Sequence, residues 1–246
     1  MLIDELQKAV ERHDAKTIML RDFMESYDET LKAAFLDLGF TETRLFDNCL
    51  INDLSWKDEQ AYLSQLGQKY RYNVRKEILK YRHHFRVETA RPNTPQEIAD
   101  CYQLYRNVHN KALEFNCYAL PLSFFEAIND HPTYDIIRLY LKEDPRPLAE
   151  QKPVAVTYNQ RKGSLYSSII VGLDYDYVYQ YNAYKQVLYQ TLQRAKALGC
   201  QRLDLSYTAV LEKKKIGARP YPTYAFTQVM DHFNMAVIEA MKGQKV

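Results

Sequence analysis

Between Leu165 and Phe226 the spacing of apolar positions changes period three times in close succession. Ser164 to Gly172 (SLYSSIIVG) is an apolar-rich run of strand length. Asn182 then opens a segment in which Tyr184, Val187, Leu188, Thr191, Leu192, Ala195 and Leu198 recur at three- and four-residue intervals, the signature of one helical face. Gly199 can supply the left-handed residue that closes this helix. Arg202 to Tyr207 (RLDLSY) alternates like a strand, and Glu212 to Gly217 (EKKKIG) reads as a cationic turn. A helix start beside a strand end suits an anion, because the first N–H groups of a helix lack intrahelical partners.

Upstream, the same reading gives a strand at Arg86 to Thr89. A capping box with proline at the first helical position follows (Thr94-Pro95-Gln96-Glu97), heading a helix that runs to about Leu113. Ser123-Phe124-Phe125-Glu126 repeats the capping pattern ahead of a shorter helix, and Asp135 to Lys142 (DIIRLYLK) is strand-like. Glu143 to Pro153, with three prolines, is a connection; Val154 to Tyr158 is a strand, Asn159 to Gly163 a turn, and Ser164 to Gly172 its hairpin partner. Trp56 to Phe85 is a basic helical segment. Leu63, Leu66, Tyr70, Val74, Ile78, Tyr81 and Phe85 are its apolar positions, and Lys69, Arg71, Arg75, Lys76, Lys80 and Arg82 lie on its other faces. The first fifty residues read as helix, strand (Lys16 to Phe23), helix (Tyr27 to Leu38) and strand (Phe40 to Leu50). Strands alternating with helices predict an α/β or α+β chain.

Composition narrows the function. With 246 residues and 46% hydrophobic content, the chain can bury the core of one large domain or two small ones. Its 33 basic and 31 acidic residues leave a net charge of +2, so any pull toward nucleic acid or membrane must be local. No apolar run approaches the roughly 20 residues that cross a bilayer. The N-terminal stretch MLIDELQKAVERHD is charged where a signal peptide is apolar, so a soluble cytoplasmic protein without a membrane span is expected. Cys49, Cys101, Cys117 and Cys200 form no CxxC pair, and His83-His84, His109 and His131 have no partner at ligand spacing, so no metal is expected. Seven glycines without GxGxxG or GxxxxGK[ST] argue against dinucleotide folds, P-loop enzymes and kinases.

The element order from Arg86 onward (strand, two helices, three antiparallel strands, helix, strand, helix, strand) resembles that of a GNAT acyltransferase domain. The run YNAYKQVLYQTLQRAKALGCQRLDLSYTAVLEKKKIGA, followed by YPTYAF, resembles the GNAT-like proteins related to the Fem-type peptidyltransferases, the BioF2-like kind. The matching features are a helix ending in A-x-x-x-G (Ala195 to Gly199), an acidic strand residue (Asp204), and a lysine (Lys213) ahead of a hydrophobic-Gly pair (Ile216-Gly217). QKYRYNVRKEILK resembles the arginine-bearing helix of the same group, through Arg71 and Arg75. The resemblance covers about residues 55–229. It implies a mixed, largely antiparallel GNAT-like sheet flanked by helices over 86–246, a basic connecting segment over 56–85, and a partial second GNAT-like lobe over 1–55. It also implies a piece of a longer chain, a reduced form or an assembly.

The resemblance further implies direct attack of a small amine on an acyl donor, with no covalent enzyme intermediate. The donor would be acyl-CoA (acetyl-CoA) or aminoacyl-tRNA. Backbone at Ile169, Ile170 and Val171 would receive the thioester, and the helix start at Asn182 the pyrophosphate. Tyr207, Asp204 and Tyr184 are the candidate acid and base groups. Lys213 would steady developing negative charge or a phosphate. Arg71 and Arg75, four apart, could meet one phosphate together. Each residue also has a plainer role open to it: core-edge tyrosine, solvated strand aspartate, lysines favoured at a helix C-terminus, a basic solvent face. The loop LDYDYVYQYN carries Asp174 and Asp176 where the best-known acyl-CoA binders of the fold have glycines and a basic residue. Two further readings stay open: a tRNA or nucleic-acid module using the basic helix 69–82, and a non-catalytic GNAT-like partner domain.

Overall fold

The computed structural model describes residues 2–24, 28–111 and 118–229. The chain divides into two compact units, residues 1–48 with 221–246, and residues 49–220. In the first unit, α1 (Leu2–His13), β1 (Thr17–Met24), α2 (Glu29–Asp37) and β2 (Thr41–Arg44) are joined by the last described strand, β10 (Thr223–Val229). β10 lies between β1 and β2, antiparallel to both. Ile18, Phe35, Phe40 and Phe226 form its core, with the Phe35 and Phe226 rings 4.9 Å apart. The carboxylate of Asp28 caps α2 by accepting from Thr30 N at 2.8 Å. Tyr27, where the sequence suggested that this helix begins, lies outside the described residues.

The second unit runs β3 (Asn48–Ile51), α3 (Glu59–Gln65), α4 (Gln68–Asn73), a π-helical turn (Val74–Leu79), β4 (Phe85–Glu88), α5 (Pro95–Lys111), α6 (Leu122–Asp130), β5 (Tyr134–Leu141), β6 (Ala155–Lys162), β7 (Leu165–Leu173), α7 (Tyr175–Gln180), α8 (Ala183–Ala197), β8 (Arg202–Asp204), α9 (Val210–Lys215) and β9 (Arg219–Tyr221). Its sheet has the order β4-β5-β6-β7-β8-β3-β9. Pairing is antiparallel from β4 to β7, parallel between β7 and β8, and antiparallel again between β8 and β3. This is the mixed, largely antiparallel sheet flanked by helices that the element order implied. No helix among the described residues is long and apolar enough to cross a membrane.

Local chemistry explains most boundaries. Thr94 Oγ1 accepts from Glu97 N at 3.2 Å, the first half of the expected capping box, while the Glu97 carboxylate reaches back to Asn93 N. Asn182 precedes α8, whose buried Val187, Leu188, Leu192 and Ala195 are the periodic face seen in the sequence. Full burial of such aliphatic side chains is worth roughly 1.5–3 kcal/mol each. Gly199, at φ 71°, follows the helix as expected.

Several boundaries differ from the sequence reading. The basic segment is not one helix, because Leu66 turns extended and Gly67 restarts the chain as α4. Ser123 lies inside α6 and Pro121 occupies the cap position, with no side-chain cap bond. Asn159 to Lys162 continue β6, so the hairpin turns at Gly163 (φ 58°). The stretch from Phe40 to Leu50 splits into β2 and β3, which belong to different sheets. EKKKIG mostly falls within α9 and its end, where the lysines suit the helix C-terminus.

Candidate active site

The parallel pairing of β7 and β8 is short: Leu165 meets Arg202, Tyr166 meets Leu203 and Ser167 meets Asp204. β7 then continues to Leu173, whereas β8 ends at Asp204 and the residues after it, Leu205 and Ser206, keep backbone hydrogen bonds to Cys49 on the β3 side. Beyond Ser167 and Asp204 the strands part, and a cavity of about 190 Å³ opens between them. Ile169, Ile170 and Val171 line one wall and Leu205 to Thr208 the other; Tyr184 and Lys213 also face it. β7 is irregular at this point, because Tyr158 pairs with Ile170 and Asn159 with Ser168, leaving Ile169 as an extra, bulged residue. The edge of β7 that β8 no longer covers offers backbone N–H and C=O groups to the cavity, and such groups bind whatever polar partner enters.

The opposite wall is a tight loop. Ser206, Thr208 and Ala209 all have positive φ (61°, 62° and 45°), conformations that cost non-glycine residues of order 1–3 kcal/mol each. Two side chains hold it. The Asp204 carboxylate accepts from Ser206 N at 2.7 Å, and Lys213 Nζ donates to the carbonyls of Ser206 (3.1 Å) and Tyr207. Lys213 is only 4% exposed. Burial lowers its pKa to about 8, against the opposing pull of Cys49 and Asp204. Burial also raises the Tyr184 pKa, reinforced by Glu212, so this phenol stays a proton donor at neutral pH. Behind the bulge, the hydroxyls of Thr157 and Ser168 meet at 3.0 Å.

One glycine fixes where α5 crosses this strand. A Cβ at Gly172 would stand 2.6 Å from Tyr105 N and 2.8 Å from Leu104 C, so the α5 backbone rests directly on β7. Asn107 Nδ2 donates to Leu173 O at 3.1 Å, one step further along both elements.

The sequence-derived candidates therefore divide. Ile169, Ile170, Val171, Tyr184, Tyr207 and Lys213 surround one cavity. Asp204 stands behind its wall as a cap for Ser206. Asn182 is the left-handed residue (φ 56°) before α8, and its carbonyl side-chain oxygen accepts from Lys185 Nζ at 3.0 Å rather than capping the helix. Arg71 and Arg75 are not brought to the cavity. The Arg71 guanidinium donates to the carbonyls of Leu63, Ser64 and Leu66 at the end of α3, while Arg75 is exposed. Asp174 does not face outward as a bare charge, since its carboxylate caps α7 through Asp176 N at 3.1 Å. Thr157, Ser168 and Thr208 are lining residues that the sequence reading missed; the bulge and positive φ that place them leave no mark in apolar periodicity.

The model of the acetyltransferase (GNAT) domain matches residues 68–222, well over half of the chain. The chain belongs to the GNAT family. The GNAT fold extends to solved structures of low identity. FemX superposes with a TM-score of 0.64 at 11% identity, over 97% of this chain and 78% of its own. L-PGS from Bacillus licheniformis gives 0.60 at 11%, over 99% and 78%. A GCN5-related N-acetyltransferase from Sphaerobacter thermophilus gives 0.53 at 7%, over 93% and 67%. No curated protein matches the sequence. In this GNAT domain the parted parallel strands and bulged β7 lie inside the matched region, and β3 and α3 lie before it. Among the described residues no group of three or more His, Cys, Asp or Glu side chains is placed to hold a metal ion.

Proposed function

We propose that this protein is an N-acyltransferase that moves an acyl group from acyl-CoA to a small amine. The observation that carries the reading is the parting of β7 and β8 around a cavity lined by uncovered strand backbone. A pantetheine arm is an extended chain of amides, and an uncovered strand edge pairs with it as it would with another strand. The thioester carbonyl would lie against the backbone of Ile169 to Val171, where fixed N–H groups stabilise the oxyanion formed as the amine attacks. The C–N bond forms, the C–S bond breaks, the nitrogen gives up its extra proton to water, and the leaving thiolate takes a proton.

Tyr184, kept protonated by burial, is the proposed donor of that proton, with Tyr207 on the opposite wall as the other candidate. Lys213 would act on the charge developing at the carbonyl while locking the Ser206 to Thr208 loop. Asp204 would serve by holding Ser206. The N–H groups at the start of α8, after Asn182, would receive the donor's phosphates.

Aminoacyl-tRNA is the second donor to consider, through the likeness to the Fem-type group. The broken basic segment and the engagement of Arg71 favour it less as a general nucleic-acid surface. A cytoplasmic setting fits the buried cysteine thiols of Cys49, Cys101 and Cys200. Thermal melting of the purified chain with acetyl-CoA, longer acyl-CoAs, free CoA and aminoacyl-tRNA tests the donor. Stabilisation by an acyl-CoA, with turnover lowered in Tyr184→Phe or Tyr207→Phe, is expected. Absence of any shift with the CoA series refutes the acyl-CoA assignment, and full turnover in both variants refutes the proton-donor roles.

A further inference from the structure

The short helix α7 sits between the end of β7 and the start of α8, at the end of the sheet where the cavity opens. Its tyrosines form two pairs four residues apart, hence two faces. Tyr177 and Tyr181 stack on each other, Tyr181 lies against His84 and Phe85, and both tyrosines pack on the core. Tyr175 and Tyr179 form the other pair, and Tyr179 is 77% exposed. Over this second pair lies Lys111 from the last turn of α5, its Nζ 3.9 Å from the centre of the Tyr175 ring and 5.7 Å from that of Tyr179.

Lys111 is exposed and has no carboxylate partner among the described residues, unlike Lys152 and Lys185, which pair with Asp100 and Glu77. Its position follows from the contacts already described. Gly172 lets the α5 backbone rest on β7, Asn107 ties it to Leu173, and one further helical turn brings Lys111 over α7. The inner pair, Tyr177 and Tyr181, packs on the same core cluster as Tyr184, which faces the cavity.

The geometry points to Lys111, steadied on the rings of Tyr175 and Tyr179, as the residue that binds the phosphate of an adenosine-bearing acyl donor. It brings from α5 the positive charge that the loop LDYDYVYQYN lacks, and the capping of α7 by Asp174 keeps that carboxylate engaged. The flat, exposed Tyr179 ring offers a stacking surface for the base beside it. The inference rests on the acyl-donor reading. CoA and the 3′ end of tRNA share the chemistry, an adenosine attached to phosphate.

Calorimetric titration of the whole chain with CoA, with acetyl-pantetheine, which has no phosphate, and with a short RNA hairpin ending in CCA tests it. Lys111→Met is expected to weaken binding of CoA or the RNA about tenfold, the loss of one charge-assisted contact, with acetyl-pantetheine unaffected. Lys111→Arg restores most of the affinity, and Tyr175→Phe retains it where Tyr175→Leu does not. Weakening confined to CoA assigns the phosphate to CoA, and weakening confined to the RNA assigns it to tRNA. Unchanged affinity for both phosphate ligands, no binding of either by the wild type, or equal loss with acetyl-pantetheine overturns the inference. If the wild type does not bind acetyl-pantetheine but the Lys111 effect holds, the thioester cavity assignment fails and the phosphate site stands.

Discussion

Gly172→Ala is the sharpest test of how this site is built. Gly172 has an ordinary φ, so alanine meets no backbone strain there, and the reduced freedom of the unfolded chain would by itself stabilise the protein by about 0.4–1 kcal/mol. The contact reverses the sign. The added methyl would stand 2.6 Å from Tyr105 N and 2.8 Å from Leu104 C and Cβ, and backbone atoms cannot swing aside as a side chain can. Relief needs α5 to lift or β7 to shift by roughly an ångström, an overpacking cost of about 1–3 kcal/mol. The net expectation is a loss of about 1 kcal/mol, or a fall of roughly 2–4 °C in the melting point for a chain of this length. Moving either element also disturbs the cavity and Lys111, so CoA affinity should drop in the same variant. Urea denaturation followed by circular dichroism, paired with the CoA titration, measures both. A stable Gly172→Ala protein with unchanged CoA affinity would falsify the claim that close approach of α5 to β7 positions the site.

Three other variants probe separate parts of the argument. Arg71→Met should destabilise the chain by about 1–3 kcal/mol by leaving carbonyls of Leu63, Ser64 and Leu66 without their guanidinium, while donor affinity stays constant; a selective loss of affinity would instead restore Arg71 to the binding site. Lys213 has a folded pKa of about 8 against an ordinary 10.5, so between these values the unfolded chain binds more protons. Stability should therefore rise by about 3 kcal/mol as pH climbs from about 8 to 10.5, and activity that needs the charged lysine should fall above about 8. Lys213→Met should lose both dependences, and a variant that keeps them assigns the titration to another group. Thr208→Gly should relieve a positive φ and stabilise the fold by about 1 kcal/mol while loosening the cavity wall and lowering kcat; a destabilised variant would show that the loop is not strained.

What could be read from the sequence was local. The face of α8, the turn at Gly199 and the Thr94 capping interaction depend on residues within one or two helical turns of each other, and the sequence shows them directly. The run from Arg202 to Tyr207 alternates correctly, yet pairing with β7 stops at Asp204 as the chain turns left-handed at Ser206 under the hold of Asp204 and Lys213. Such a turn carries no glycine to announce it. Arg71 looked available because helical spacing says nothing of the broken end of α3 that it caps. Lys111 went unnoticed for a similar reason, since its neighbours Tyr175 and Tyr179 are more than sixty residues away in the chain.

The pairing of β3 with β8 bears on how the protein is handled. The matched region begins at residue 68, but Leu50 and Ile51 are the residues that pair with Asp204 and Leu203, and Trp56, Tyr62 and Leu63 are buried in the same core. A chain begun at residue 68 would strip β8 of its neighbour and leave a raw sheet edge beside uncovered apolar side chains. Such edges recruit other strands, so a piece cut at the family boundary should aggregate, and one that begins before residue 48 should not.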